Sequence, residues 1–181
     1  MDVTIKERAA SFCTEYDIST PDRALYAREE MFTLLNKIEL QTKGGDTLAR
    51  LQGQFSVLRS KYEFDLMGGM VYDFECVDRW KSIYECRCGD DLLTLYQHKG
   101  LNHSIFKNER QIAAYSKNRV SFGKGNTYEI RMDVDANLKL IVCMVLALSV
   151  SDDNDDQTTV NIDFGSIGPE GRALDTAWEP K

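Results

Sequence analysis

The residues in this sequence that could do chemistry are five cysteines and two histidines. They are Cys13, Cys76, Cys86, Cys88, Cys143, His98 and His103. Cys86 and Cys88 form a C-x-C pair, whereas zinc sites usually use C-x2-C spacing with a second pair elsewhere. The odd cysteine count and an N-terminus without an apolar run favour free thiols in a reducing cytoplasm. We therefore predict inert or structural thiols, no metal site and a cytoplasmic protein.

No catalytic arrangement has the required spacing. Pairing Cys86 or Cys88 with His98 matches neither a nucleophile elbow nor a papain-like signature. The G-x-G at residues 123–125 lacks the lysine and hydroxyl residue of a phosphate-binding loop. A glycosidase would need two inward carboxylates at a set separation, and neighbouring acids such as Asp90 and Asp91 are common on loops. We expect no catalytic residue, no cofactor and no enzyme activity.

Composition and charge limit the partners. The chain has 181 residues, of which 43% are hydrophobic and 28% charged, as in ordinary soluble globular proteins. Its net charge of -7 argues against nucleic-acid binding, which needs a basic surface. The length fits one domain, which we assign to residues 1–164, followed by a polar C-terminal tail at residues 165–181.

Most of the chain alternates apolar and polar residues in short runs, with turn signals between them. Period-two alternation places one face of a strand on a core and the other in water. About a dozen such runs at close spacing predict a sandwich or a barrel. The predicted strands are residues 12–18, 24–27, 38–40, 48–55, 62–66, 71–76, 83–86, 93–96, 103–106, 112–115, 119–122 and 128–132.

Residues 138–150 break the alternation, because they are almost continuously apolar. The run is too short to span a membrane, which takes about 20 residues. A helix that is apolar on every side must be surrounded on every side. In a chain of strands, a closed barrel provides that surround, so we predict a helix at about residues 137–151 inside the barrel, with Asp135 or Asn137 as its N-cap. One more buried strand is the alternative.

The residues after the apolar run are acidic and polar. We predict a solvated acidic loop at residues 151–156, since it lacks the glycine and distal glutamate of a calcium-binding loop. Residues 159–164 alternate and add a possible late strand.

Three segments resemble a known family. They are residues 119–130 before the apolar run, the hairpin at residues 55–63, and residues 104–117. Over residues 3–153 the chain resembles LURP-one-related proteins of the tubby C-terminal-like superfamily, which also contains phospholipid scramblases. The resemblance implies a 12-stranded antiparallel barrel around a central helix. Tubby domains bind phosphoinositides, scramblases associate with lipids, and most LURP-one-related proteins have no defined activity.

Five basic residues form the candidate ligand site. Lys117, Arg119 and Lys124 are near one another in sequence, and Arg59 and Lys61 belong to a similar hairpin. These residues are either solvated charges at the rim of the barrel or a site for an anionic headgroup.

Three functions remain open at this point. The first is a non-enzymatic binding or scaffold module, peripheral to a membrane or not, whose ligand is an anionic phospholipid headgroup or a protein. The second is a small-ligand carrier or enzyme that uses the barrel interior, as lipocalins do. The third is a membrane-associated, scramblase-like protein. A transmembrane anchor is disfavoured by the length of the apolar run.

Overall fold

The structure is a computed structural model. It describes residues 1–9, 13–30, 35–54, 60–119, 125–156 and 170–181, and of residues 9, 119 and 151–156 it describes the backbone alone. The strands are β1 (Asp2–Ala9), β2 (Thr14–Ser19), β3 (Ala24–Glu29), β4 (Lys37–Thr42), β5 (Thr47–Gln54), β6 (Lys61–Leu66), β7 (Met70–Asp78), β8 (Ile83–Cys88), β9 (Asp91–Gln97), β10 (Asn102–Lys107), β11 (Arg110–Arg119) and β12 (Asn126–Met132). A short 3-10 helix, Lys99–Leu101, joins β9 to β10, and the helix α1 is Leu138–Asp156.

The twelve strands form one closed antiparallel barrel, as predicted. Each strand pairs with its neighbours in the chain, and β1 closes the barrel by pairing with β12, with Val3 opposite Ile130. Alternation determines the two faces of each strand. In β6 the side chains of Tyr62, Phe64 and Leu66 are buried, whereas the residues between them are half-buried.

The helix α1 occupies the barrel interior. Seven consecutive residues, 141–147, have no exposed surface. Because seven residues make about two helical turns, every side of the helix is covered. Asn137 caps the helix, since the backbone N–H of Leu140 donates to its Oδ1 at 3.3 Å. The prediction of a buried helix inside a barrel is confirmed, and Asn137 is the cap.

Three details of the predicted elements are wrong. Strand β1 was missed, because its inward positions are Val3, Ile5 and the acidic Glu7, which interrupts the apolar alternation. The sequence predicts a break between strands at residues 112–115 and 119–122. Residues 112–119 instead belong to one strand, because Ser116 and Asn118, although polar, pair with β12. These two errors cancel in the strand count.

The third error concerns the end of the helix. The acidic run at residues 151–156 is helical and extends α1 to Asp156. Each residue added to a formed helix gains one hydrogen bond, and residues 151–156 contain no glycine or proline that would end the helix. The predicted late strand at residues 159–164 lies outside the described residues.

The enclosed helix makes one position especially sensitive. Changing Val145, which has no exposed surface, to Asp places an unpaired charge in the core. We expect Val145→Asp to lower the free energy of unfolding by more than about 4 kcal/mol, which removes the cooperative melting transition.

The matched control is Val134→Asp, since that valine is 75% exposed. Its melting should stay within about 0.5 kcal/mol of the parent chain, as for most surface changes. Similar melting curves for the two variants, followed by circular dichroism, would contradict the central position of the helix.

Candidate functional site

The structure separates the candidate basic residues. Lys61 begins β6 and Lys117 is near the end of β11, so both lie at the end of the barrel where α1 ends. The two strands are five positions apart around the barrel, which is about 24 Å along the sheet at 4.8 Å per strand. Lys61 also forms an ion pair with Asp73 at 3.5 Å.

Lys117 faces the barrel interior. Its side chain is on the same face of β11 as Ala113 and Tyr115, both of them core residues, and it is only 5% exposed. Its cross-strand neighbour is the buried Tyr128. Lys61 and Lys117 therefore do not form one surface site.

The side chains of the other three candidate residues lie outside the described part of the structure. The backbone of Arg119 pairs with Asn126, but its side chain is outside the described part of the structure. Arg59 and Lys124 also lie outside the described residues. A ligand site that includes these three residues stays a prediction.

Polar residues gather inside the barrel around Lys117. This inner polar cluster consists of Glu7, His103, Lys117, Asn126 and Tyr128. Asn126 donates a hydrogen bond to Glu7 Oε2 at 2.8 Å, and the Tyr128 hydroxyl donates to the same oxygen at 3.4 Å. These two hydrogen bonds satisfy the Glu7 carboxylate, which is only 9% exposed and therefore needs partners within the protein.

His103 is the most perturbed member of the inner polar cluster. Its ring stacks on Tyr115, with 4.1 Å between ring centroids and 2° between planes. Burial, together with like-charge repulsion from His98 and Lys117, lowers the pKa of His103 to about 3. Its Nδ1 has no hydrogen-bond partner among the described residues. His103 is therefore neutral at physiological pH.

The inner polar cluster lies beside the last turns of α1. The Tyr16 hydroxyl and Ser149 Oγ are 3.0 Å apart, and Tyr16 is the cross-strand neighbour of Glu7. This end of the core is therefore joined to the helix by hydrogen bonds as well as by apolar packing. Sequence reasoning missed Glu7 and did not place His103 in this cluster, because neither residue belongs to a motif.

The outer face of β8–β10 carries a second arrangement, made by residues 170–181. Arg172 lies over the ring of Phe106, with its guanidinium carbon 3.9 Å from the ring centroid, and 6.0 Å from that of Tyr96. The two rings meet edge to face at 5.6 Å. Arg172 also forms an ion pair with Glu109 at 3.2 Å. We call residues 170–181 the C-terminal segment.

Close packing continues on both sides of Arg172. A Cβ added to Gly171 would come within 3 Å of the Ile83 side chain, so a larger residue there would have to displace that side chain. Glu170 accepts a hydrogen bond from the backbone N–H of Lys99 at 3.2 Å. Beneath this part of the segment His98 Nε2 and Ser104 Oγ are 2.7 Å apart and buried. Burial lowers the pKa of His98.

The far end of the C-terminal segment pairs with the loop after β12. Lys181 donates its backbone N–H to Asp133 Oδ1 at 2.8 Å, and Val134 donates its backbone N–H to the Lys181 carbonyl at 3.0 Å. Arg110 forms ion pairs with Asp133 and Asp135 at 3.2 and 3.1 Å. The segment therefore adds main-chain and side-chain contacts of the kind that hold a bound peptide.

Two open grooves flank the C-terminal segment. One, of about 320 Å³, lies between residues 174–176 and the outer face of β10–β12, and Glu129 and Arg131 line it. The other, of about 300 Å³, lies beside Arg110 and Trp178. Both grooves are lined by mixed charges.

Metal-ligating residues are dispersed across the part of the chain that the structure describes. No group of three or more histidine, cysteine, aspartate or glutamate side chains there is placed to hold a metal ion. None of the described helices is long and apolar enough to cross a membrane.

No family model, curated protein or solved structure matches this chain.

The burial of His103 predicts a pH-dependent stability. Its folded pKa of about 3 is below the ordinary histidine pKa of 6.5, so the unfolded chain binds the proton more readily. The stability that neutral His103 contributes is complete above pH 6.5 and is lost as the pH falls toward 3. At about pH 4.5 the loss attributable to His103 is roughly 2–3 kcal/mol.

Changing His103 to Phe keeps a ring against Tyr115 and removes the titration. We expect urea unfolding of His103→Phe to lose roughly 2–3 kcal/mol less between pH 7 and 4.5 than the parent chain does. Groups that titrate in both chains, such as His98 and the carboxylates, cancel in this comparison. Equal losses in the two chains would show that His103 is protonated without cost in the folded state.

Proposed function

We propose that this chain is a non-enzymatic binding module of the tubby-like, LURP-one-related type, that it acts in the cytoplasm, and that its ligand is a protein. The ligand segment is a peptide that binds on the outer face of β8–β10. The observation that carries the proposal is the seating of the C-terminal segment on that face, with Arg172 over Phe106.

The contacts of the C-terminal segment define the peptide. A small residue packs against Ile83, and the next residue along is a cation that lies over two aromatic rings and beside the carboxylate of Glu109. Arginine over an aromatic face contributes about 0.5–2 kcal/mol, depending on solvent exposure. A partner with an exposed Gly-Arg pair fits this face.

The position of α1 disfavours a ligand carrier or an enzyme that uses the barrel interior. Lipocalin-type barrels bind ligands in the space that the helix fills here. With residues 141–147 fully enclosed, the outer surface is the better supported place for a site.

An anionic lipid headgroup is less well supported than a protein. The net charge of -7 opposes approach to an anionic membrane. Of the candidate basic residues whose side chains are described, Lys117 is buried and Lys61 is paired with Asp73. The scramblase-like alternative loses support for the same reasons.

Competition between the C-terminal segment and a free peptide tests the proposal. In the parent chain the segment competes at an effective concentration in the millimolar range, so a labelled peptide of residues 170–181 should bind weakly. In an Arg172→Ala chain the segment loses about 1 kcal/mol of contact with the rings, so the same peptide should bind about 5-fold more tightly, as measured by fluorescence anisotropy.

Two controls identify the face that binds. Adding Phe106→Leu to the Arg172→Ala chain keeps apolar volume but removes the ring, so the gain in peptide affinity should disappear. Arg50→Ala removes another exposed arginine that has an ion pair, with Glu39 at 2.7 Å, and it should leave peptide binding unchanged. Flotation of the parent chain with vesicles containing phosphatidylserine and phosphoinositides at physiological salt, without peptide binding in any chain, would overturn the protein proposal in favour of a lipid ligand.

A further inference from the structure

Two cysteines of β8 lie side by side. Cys86 and Cys88 are two residues apart on one strand, so their side chains are on the same face of the sheet. Their Sγ atoms are 3.9 Å apart. Cys86 is fully buried in the core, whereas Cys88 is half-buried at the hairpin that joins β8 to β9.

The two thiols differ chemically as well as in access. The hydrogen bond from the Cys86 thiol lowers the pKa of Cys88, and the ammonium of Lys107 lowers it too, against opposing contributions from burial and Asp91. The same hydrogen bond and burial raise the pKa of Cys86. The accessible sulfur is therefore the more acidic of the two and is the better placed to attack as a thiolate.

Charged residues at the hairpin surround the accessible sulfur. Lys107 forms an ion pair with Asp91 at 2.7 Å, and Asp91 is the cross-strand neighbour of Cys88. Asn108 holds the same carboxylate by donating to Asp91 Oδ1 at 3.1 Å. These contacts fix a cation near Cys88, which is the environment of reactive cysteines.

We propose that Cys86 and Cys88 form a dithiol site that is oxidised to an intrachain disulfide by a small disulfide of the oxidised-glutathione class. Cys88 is the attacking thiolate and Cys86 is the resolving thiol. Residues two apart in a strand have Cα atoms about 6.6 Å apart, at the upper limit of about 6.8 Å for disulfides, so forming the bond requires the end of β8 beside the hairpin to bend and bring the two Cβ atoms together.

The exchange runs in two balanced steps. The Cys88 thiolate attacks one sulfur of the small disulfide, forming a mixed disulfide and releasing one thiolate. Cys86 then gives its proton to that thiolate, and its sulfur attacks Cys88 Sγ and expels the second half of the small disulfide. The small disulfide is reduced to one thiol and one thiolate, which takes its proton from water, and the two cysteines are oxidised to one disulfide.

Tryptic digestion gives a direct readout, because Arg87 stands between the two cysteines. The full chain is incubated with oxidised glutathione, alkylated and digested under non-reducing conditions. We expect the peptides of residues 82–87 and 88–99 to be joined by a disulfide and to separate on reduction. Separate, alkylated peptides after incubation would overturn the proposal.

Single substitutions distinguish the roles of the two sulfurs. Cys86→Ser should stop at the mixed disulfide, so that Cys88 retains one glutathione. Cys88→Ser should leave Cys86 unmodified, since the core encloses it. The matched control Cys13→Ser, which changes another partly exposed thiol, should still form the bond. Circular dichroism checks that each variant is folded, and a glutathione adduct on Cys86 in a folded Cys88→Ser chain would contradict the assigned order.

Discussion

The enclosure of α1 by the barrel is the interaction on which the rest of the structure depends. The inner faces of the strands are apolar and need a partner, and the helix is apolar on every side and needs a complete surround. Neither is stable alone in water, since each exposes a large apolar area without the other. Closure of β1 onto β12 makes the surround complete and leaves no unpaired strand edge.

Because a helix fills the interior, the polar and reactive side chains lie in three separate parts of the barrel. The inner polar cluster lies at one end of the core, where Glu7 accepts hydrogen bonds from Asn126 and Tyr128. The C-terminal segment provides an outer contact surface over Phe106. The Cys86–Cys88 pair lies at the other end of the barrel, next to a hairpin.

Much of the fold could be predicted from the sequence, because alternation and uniform apolarity are local patterns. The helix, its cap at Asn137 and most strands followed from them. Strand β1 could not be found this way, since Glu7 occupies an inward position that only its partners on β12 make acceptable. Residues 116–119 also depend on pairing with β12. Such errors arise where tertiary contacts override local preference.

The sites were much less predictable than the fold. Five basic residues looked alike in sequence, yet the direction of a side chain depends on its register in a barrel, and Lys117 points inward. The C-terminal segment reads as a polar tail because its contacts are made by single residues: Gly171 fits against Ile83 and Arg172 against Phe106. No short-range pattern encodes such contacts.

The position of the helix in the chain has a consequence for biosynthesis. All twelve strands leave the ribosome before α1 does, so the barrel cannot close around its core until residue 150 has been made. The last closure also joins β1 to β12 across more than a hundred residues of chain. Such long-range pairing folds slowly and leaves apolar strands exposed in the meantime. The apolar inner faces of the strands therefore stay without their partner until the helix has been made.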